Sequence, residues 1–300
     1  MSYDKSDPRS SLEPAKAAKP KTGLIAEPQI GRFHDDPPTV ADANGKSWYV
    51  RGHNFVVVQT EANAAGVFAR DQQVDEYVVL LPENGASITV GGATQDIPGN
   101  SIAFVPPGDS KITMPEGGML VRLFTSQSPD LVAPCPNARA YDEPRSHIPP
   151  LQPWPVPTDG WRLRHYSLDV PKEEGRFGRI FRCTTFMVNV LDPYDGPRDT
   201  TKMSPHHHDD FEQCSLVLKG DYSHHLRWPW TTDMADWRPD LEVKVGAPSV
   251  TVIPPPVVHT SRATGAGINA MVDVFCPPRE DFSERPGWVL NADDYPIPTR

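Results

Sequence analysis

Cysteine is scarce in this chain: four residues in 300, at positions 135, 183, 214 and 276, with no Cys-x-x-Cys pair among them. That excludes a disulfide-stapled scaffold and a thiolate metal knuckle. Cys183 and Cys214 sit in apolar, strand-like runs, where the expected role is that of a small buried hydrophobe. Long apolar runs are missing too. None reaches membrane-spanning length, and the N-terminal MSYDKSDPRSSLEPAKAAKPK has no apolar centre, so a cytoplasmic location and no membrane partner are expected. Positive charge is also short: 29 Lys and Arg against 39 Asp and Glu leave a net charge of −10. Nucleic acid and anionic membranes select basic surfaces, so neither is an expected partner.

Proline and glycine, by contrast, are plentiful, at 35 and 21 residues, alongside 38% hydrophobic residues. This balance predicts many turns joining short strands around a substantial core, not long helices. Residues 1–44 are polar and Pro-rich and read as a flexible arm. Short β-branched or aromatic runs follow, separated by Gly, Pro and Asn, and their order repeats. Arg51 stands four residues before Phe55, as Arg182 does before Phe186; Glu76 opens EYVVLL as Glu212 opens EQCSLVL. The run IAFVPPG from Ile102 matches VTVIPPP from Val250, and Lys111 then falls where His259 falls. Duplication of an all-β unit predicts two barrels, over 45–126 and 161–285. A Pro-rich linker over 127–160 joins them, its prolines barring helix and central strand, and a tail over 286–300 follows. WRLRHYSLDVP, from Trp161, is expected as a strand that could join a neighbouring sheet.

The chemistry concentrates in SPHHHDDFEQCSLVLKG, from Ser204, and in VTVIPPPVVHT, ending at Thr260. His206 and His208, two apart, share one face of an extended chain. With Glu212 and the distant His259 they make a mixed nitrogen and oxygen donor set suited to a divalent transition metal. The plainer alternative is a solvated histidine tract, which would have no need of His259. His207 is expected to point away. In the first module the matching positions are Arg70, Gln72 and Lys111, and two permanent cations repel a metal. There an internal ion-pair cluster of Arg70, Lys111 and Glu76 is expected, with anion binding as the alternative.

The spacing His-x-His-x3-Glu resembles the first motif of the cupin superfamily, with its glycine, Gly220, one residue late. The second motif ends at His259, with Pro256 where a glycine is usual. The duplicated chain therefore resembles a bicupin, which implies an all-β fold of two tandem cupin barrels (double-stranded β-helix, jelly-roll). The resemblance implies one divalent transition metal per chain on His206, His208, Glu212 and His259, with about two of six coordination positions open. Iron(II) is favoured, and manganese, nickel and zinc remain open. The layout is similar to gentisate- and homogentisate-type ring-cleaving dioxygenases, although gentisate-type enzymes carry the metal in their first cupin. The expected activity is that of a non-haem Fe(II) dioxygenase on a small aromatic or oxo-acid substrate. A redox-neutral isomerase, lyase or decarboxylase, or a non-catalytic small-molecule-binding cupin, are the alternatives. Cupin precedent and exposed strand edges imply a homo-oligomer, a dimer first.

Around that site, Tyr222 and His224 share parity after the Gly220 turn and are the candidates to hydrogen-bond the site or protonate substrate. Cys214, two residues after Glu212, is expected as a packed core thiol, a place on the pocket wall being the alternative. Arg182 and Arg227 could grip a substrate carboxylate, although Arg51 at the position equivalent to Arg182 argues for a structural role there. From Glu212 to His259 the second module spans 47 positions against 35 from Glu76 to Lys111. The insertion carries Trp228, Trp230 and Trp237, which could stack on a planar substrate or clamp a loop.

Overall fold

A computed structural model of the chain describes residues 7–12, 24–143 and 145–299. Among them the α-helices are two four-residue pieces, Pro129–Val132 and Glu280–Ser283, and no helix is long and apolar enough to cross a membrane. The strands form four antiparallel sheets. A seven-stranded and a four-stranded sheet make the first barrel, and a seven-stranded and a three-stranded sheet the second. This is the two-jelly-roll architecture expected from the repeat.

Side-chain alternation along the strands explains the layering. In the strand Glu212–Lys219, Gln213, Ser215 and Val217 point into the second barrel, while Glu212, Cys214 and Leu216 point out of it. The outward set does not meet water. It packs, with Val252 and Val274, against Phe55, Val57, Val78 and Leu80 of the first barrel. Both faces of these strands are thus buried, which is why they read as continuous apolar runs. Cys214 lies in this layer between barrels and not on a pocket wall, and all four cysteines are buried and unpaired. Separate cores fill the first barrel (Val56, Val79, Leu81, Phe124) and the second (Val217, Leu226, Val243, Met271).

Two edge strands cross over between the barrels. Gln29–Gly31 pairs with Ser249–Ile253 in the second barrel, and Arg164–Ser167, from the WRLRHYSLDVP segment, pairs with Ser101–Val105 in the first. Val40–Asp42 extends the first barrel's own sheet. The stretch read as an arm therefore contributes strands to both barrels.

The repeat is in register at its two glutamates but slips by one residue later. Ser110 pairs across its sheet with Arg70, whereas His259 bridges to His206, so Ser110 and not Lys111 is the counterpart of His259. A one-residue slip moves a side chain to the opposite face: Ser110 is buried and lies 2.9 Å from the Tyr77 hydroxyl, and Lys111 is exposed. The expected ion-pair cluster is not formed. Arg70 pairs with Asp130 and donates to Gln73, while Glu76 faces the second barrel and accepts from Thr184 and Tyr295.

Candidate metal centre

Gly220 closes the strand Glu212–Lys219 in a left-handed turn (φ 76°), where a Cβ would lie 2.2 Å from Asn269 Oδ1, so the turn admits only glycine. On the other side of the strand, the segment carrying His206 is pinned to His259 by two backbone bonds. His206 N donates to His259 O at 3.0 Å, and His259 N to His206 O at 2.7 Å. One ring nitrogen from each of His206, His208 and His259 comes within 4.8 Å of the others, and all three rings are buried.

Backbone carbonyls set two of the tautomers. Nδ1 of His206 lies 2.8 Å from Ser204 O, and Nδ1 of His259 lies 2.9 Å from Val257 O. An N–H donated there leaves Nε2 as a lone pair facing the cluster. Burial, reinforced by neighbouring histidines and arginines, holds His206 and His208 well below the usual imidazole range and brings His259 to about 4. The rings are thus neutral at neutral pH, the form that ligates metal.

Glu212, expected as the fourth ligand, is turned the other way. Its Oε2 accepts the backbone N–H of His53 at 2.6 Å and its Oε1 the Tyr141 hydroxyl at 2.7 Å. Strand parity is the reason: Glu212 shares the outward face with Cys214, and the inward residue is Gln213. Burial raises the Glu212 carboxyl to about 7 even with these donors. Gln213 Oε1 lies 2.9 Å from His208 Nε2 and 3.2 Å from His259 Nε2. The clue in the sequence was Gly220, one residue late when counted from Glu212 and in step when counted from Gln213.

The Gln213 amide is held in that orientation. Its Nε2 donates to Ser215 Oγ and to Asp273 Oδ1, both at 3.1 Å, and Ser215 donates to the same Asp273 oxygen at 2.9 Å. Flipping the amide would set its oxygen against the Asp273 carboxylate. With His259 Nδ1–H committed to Val257, the His259 Nε2 and Gln213 Oε1 lone pairs face each other at 3.2 Å. Two acceptors so placed are unfavourable unless a proton or a cation lies between them. Three imidazole nitrogens and an amide oxygen fit a divalent transition ion. Nothing in the sequence reading pointed to Asp273; burial pushes its carboxyl up to about 6.

A cavity of about 660 Å³ opens beside this cluster, with His206, Gln213, Tyr222, His259, Ser261 and Asp273 among its walls. Of the two residues expected to act there, Tyr222 lines it. His224 is fully buried behind Ser261, its Nδ1 2.8 Å from Ser261 Oγ, and burial lowers its pKa to about 3. His207 turns outward toward Asp209, 3.8 Å away. Trp228 packs in the barrel core, while Trp230 and Trp237 stack on each other at 4.7 Å in an exposed loop. Arg227 pairs with Asp240 at the surface, and Arg182 is buried, donating to the Tyr295 carbonyl and lying over Trp154.

No protein-family model matches the chain, and no curated protein matches its sequence. Solved structures do match. AerE from Microcystis aeruginosa superposes with a TM-score of 0.55 at 6% identity, covering 84% of this chain and 98% of that one. The Lactobacillus farciminis oxalate decarboxylase formate complex gives 0.56 at 12% identity, covering 87% and 88%. A mutant of Bacillus subtilis oxalate decarboxylase gives 0.51 at 12% identity, covering 90% and 87%. At these identities the likeness is one of fold. The chain has the two-barrel cupin fold, and among the described residues one histidine cluster, in the second barrel, could hold a metal ion. The gentisate- or homogentisate-type layout draws no support from these neighbours.

Proposed function

We propose that this chain is a metal-dependent bicupin enzyme in which His206, His208, His259 and Gln213 hold one divalent transition metal. Its substrate is a small acid whose oxygens complete the coordination. The observation that carries the reading is the contact of Gln213 Oε1 with His208 and His259 Nε2, in an orientation that Asp273 enforces. A bound divalent ion would supply Lewis acidity and, if it is iron(II), a place for dioxygen. The chain's own residues supply four neutral donors, with the Asp273 carboxylate one hydrogen bond away, so an anionic, chelating substrate would add to the charge compensation. A cavity of about 660 Å³ accommodates a small acid or a single aromatic ring.

Asp273 on the cavity wall favours redox-neutral chemistry, an isomerisation, lyase or decarboxylation reaction, because a carboxylate beside the substrate can carry a proton. Two oxalate decarboxylases among the fold neighbours support keeping decarboxylation in that set. The second reading is a non-haem Fe(II) dioxygenase acting on a small aromatic or oxo-acid. It is favoured by a four-donor set that leaves about two positions for substrate and dioxygen. The test loads the protein with Mn(II), Fe(II) or Zn(II) and follows oxygen uptake and carbon dioxide release on oxo-acids, catechol and gentisate. Turnover without oxygen, lost in His259→Ala, supports the first reading; oxygen uptake with iron alone supports the second. No turnover with any metal contradicts both and leaves a binding protein.

A further inference from the structure

A second cleft, of about 460 Å³, lies on the outer face of the second barrel's three-stranded sheet. That sheet is built from Asp221–Arg227, Leu241–Gly246 and Val258–Ala263. Strand alternation separates the cleft from the metal cavity: Tyr222 and Leu226 turn into the barrel core, and Ser223 turns the other way. Directly opposite Ser223 stand Lys244 on one neighbouring strand and Arg262 on the other, so all three share this outer face. The Ser223 hydroxyl is buried between them and has no hydrogen-bond partner among the described residues. The rim is the turn at 32–36, tied down where His34 N donates to Pro248 O at 3.2 Å. A Cβ at Gly246 would stand 3.4 Å from His34 Cδ2 and 3.3 Å from Asp221 Oδ1, so bare backbone lets the rim sit close.

The ionisable groups of the cleft wall are Arg32, Lys244, Arg262, His34, Asp35 and Asp221, with the Tyr222 phenol. His34 Nε2 and Asp35 Oδ2 pair at 3.2 Å. The side chains of Arg32, Lys244 and Arg262 make no ion pair and no hydrogen bond among the described residues. Three cations against Asp35 and Asp221 leave an excess of one positive charge with His34 counted as neutral, in a chain whose net charge is −10. The donors of all three cations are therefore unspent. Two guanidinium forks, one ammonium and one hydroxyl, reaching in from four chain segments, surround a small anion instead of facing it from one side. A phosphoryl group answers that arrangement best, with three strong acceptor oxygens and a charge of about −1.5 to −2.

We infer that this cleft binds a phosphate-type oxyanion on Arg32, Lys244, Arg262 and the Ser223 hydroxyl. The anion is free phosphate or the end group of a small phosphomonoester. The site is separate from the histidine cluster and stands whether or not that cluster holds a metal. The experiment is calorimetry with inorganic phosphate and with glycerol phosphate at low ionic strength. It uses the full chain, stripped of metal by chelation and gel filtration so that phosphate has no metal to ligate. Wild type is expected to bind at least one probe with a Kd of about 1 mM or below, more weakly as salt rises. Equal affinities assign the free anion and a tighter ester assigns a phosphomonoester, and both support the site. Arg262→Ala and Lys244→Ala are each expected to weaken binding roughly tenfold. Arg227→Ala removes a charge from the same strand outside the cleft and should change binding by less than about twofold. Thermal melts show that each variant is folded. No binding of either probe, or binding unchanged in the Arg262→Ala, Lys244→Ala double variant, overturns the inference. So does acetate bound as tightly as phosphate, or an equal loss in Arg227→Ala, either of which reduces the effect to unspecific charge.

Discussion

Glu212 and Glu76 make the same contact in opposite directions. Glu212 accepts the backbone N–H of His53 in the first barrel, and Glu76 that of Thr184 in the second, at 2.6 and 3.0 Å. His53 and Thr184 hold the same place in the two modules, two residues after Arg51 and Arg182. Each carboxylate also takes a tyrosine hydroxyl at 2.7 Å, Tyr141 from the linker for Glu212 and Tyr295 from the tail for Glu76. The acid that opens each module's strand is a strut between barrels. That is why the first barrel keeps it while lacking the histidines.

Stability should carry the signature of these buried acids. Burial raises both carboxyls, Glu212 from 4.5 to about 7. The folded protein then holds a proton that the unfolded chain has released. The Glu212 contribution is fully present below about 4.5 and is lost as pH rises through about 7. The loss is on the order of 3 kcal/mol. Glu212→Gln removes this slope, so its stability relative to wild type should rise between pH 5 and pH 8 in urea unfolding. A pH-independent difference contradicts the assignment.

Tyr141→Phe and Tyr295→Phe each take one donor from a buried carboxylate. Each should cost about 1–3 kcal/mol in chemical denaturation, the cost of leaving a buried polar group without its partner. Lys111→Ala, at an exposed position, should stay within about 0.5 kcal/mol.

Asp273→Asn tests the clamp on Gln213. An asparagine can present either end of its amide, so Gln213 is no longer held with Oε1 toward the histidines. Metal affinity should fall roughly ten- to hundredfold, as for other partners that orient a ligand. A Co(II) titration followed by visible absorption reads this, with Ser215→Ala expected to fall between that variant and wild type.

The barrels were legible because strands buried on both faces leave unbroken β-branched runs, and because the repeat aligned them pairwise at Arg51 and Arg182 and at Glu76 and Glu212. The three histidines were legible from parity and from a second motif far along the chain. What failed did so by one residue, at Glu212 against Gln213 and at Lys111 against Ser110, since adjacent strand residues face opposite ways. Spacing alone cannot choose between neighbours; the contacts across the sheet do. Asp273 and Arg9 were illegible for another reason. Asp273 enters from a distant strand, orienting the Gln213 amide and forming part of the cavity wall, and Arg9 reaches Ser204 across 195 positions, contacts that no local pattern encodes.

The most direct test of the central claim is metal stoichiometry in Glu212→Gln, Gln213→Ala and His259→Ala, measured after Mn(II) loading and gel filtration. The account predicts about one ion per chain in wild type and in Glu212→Gln, and loss in His259→Ala with a clear weakening in Gln213→Ala. Loss of metal in Glu212→Gln with full retention in Gln213→Ala would contradict it and return the carboxylate to the site.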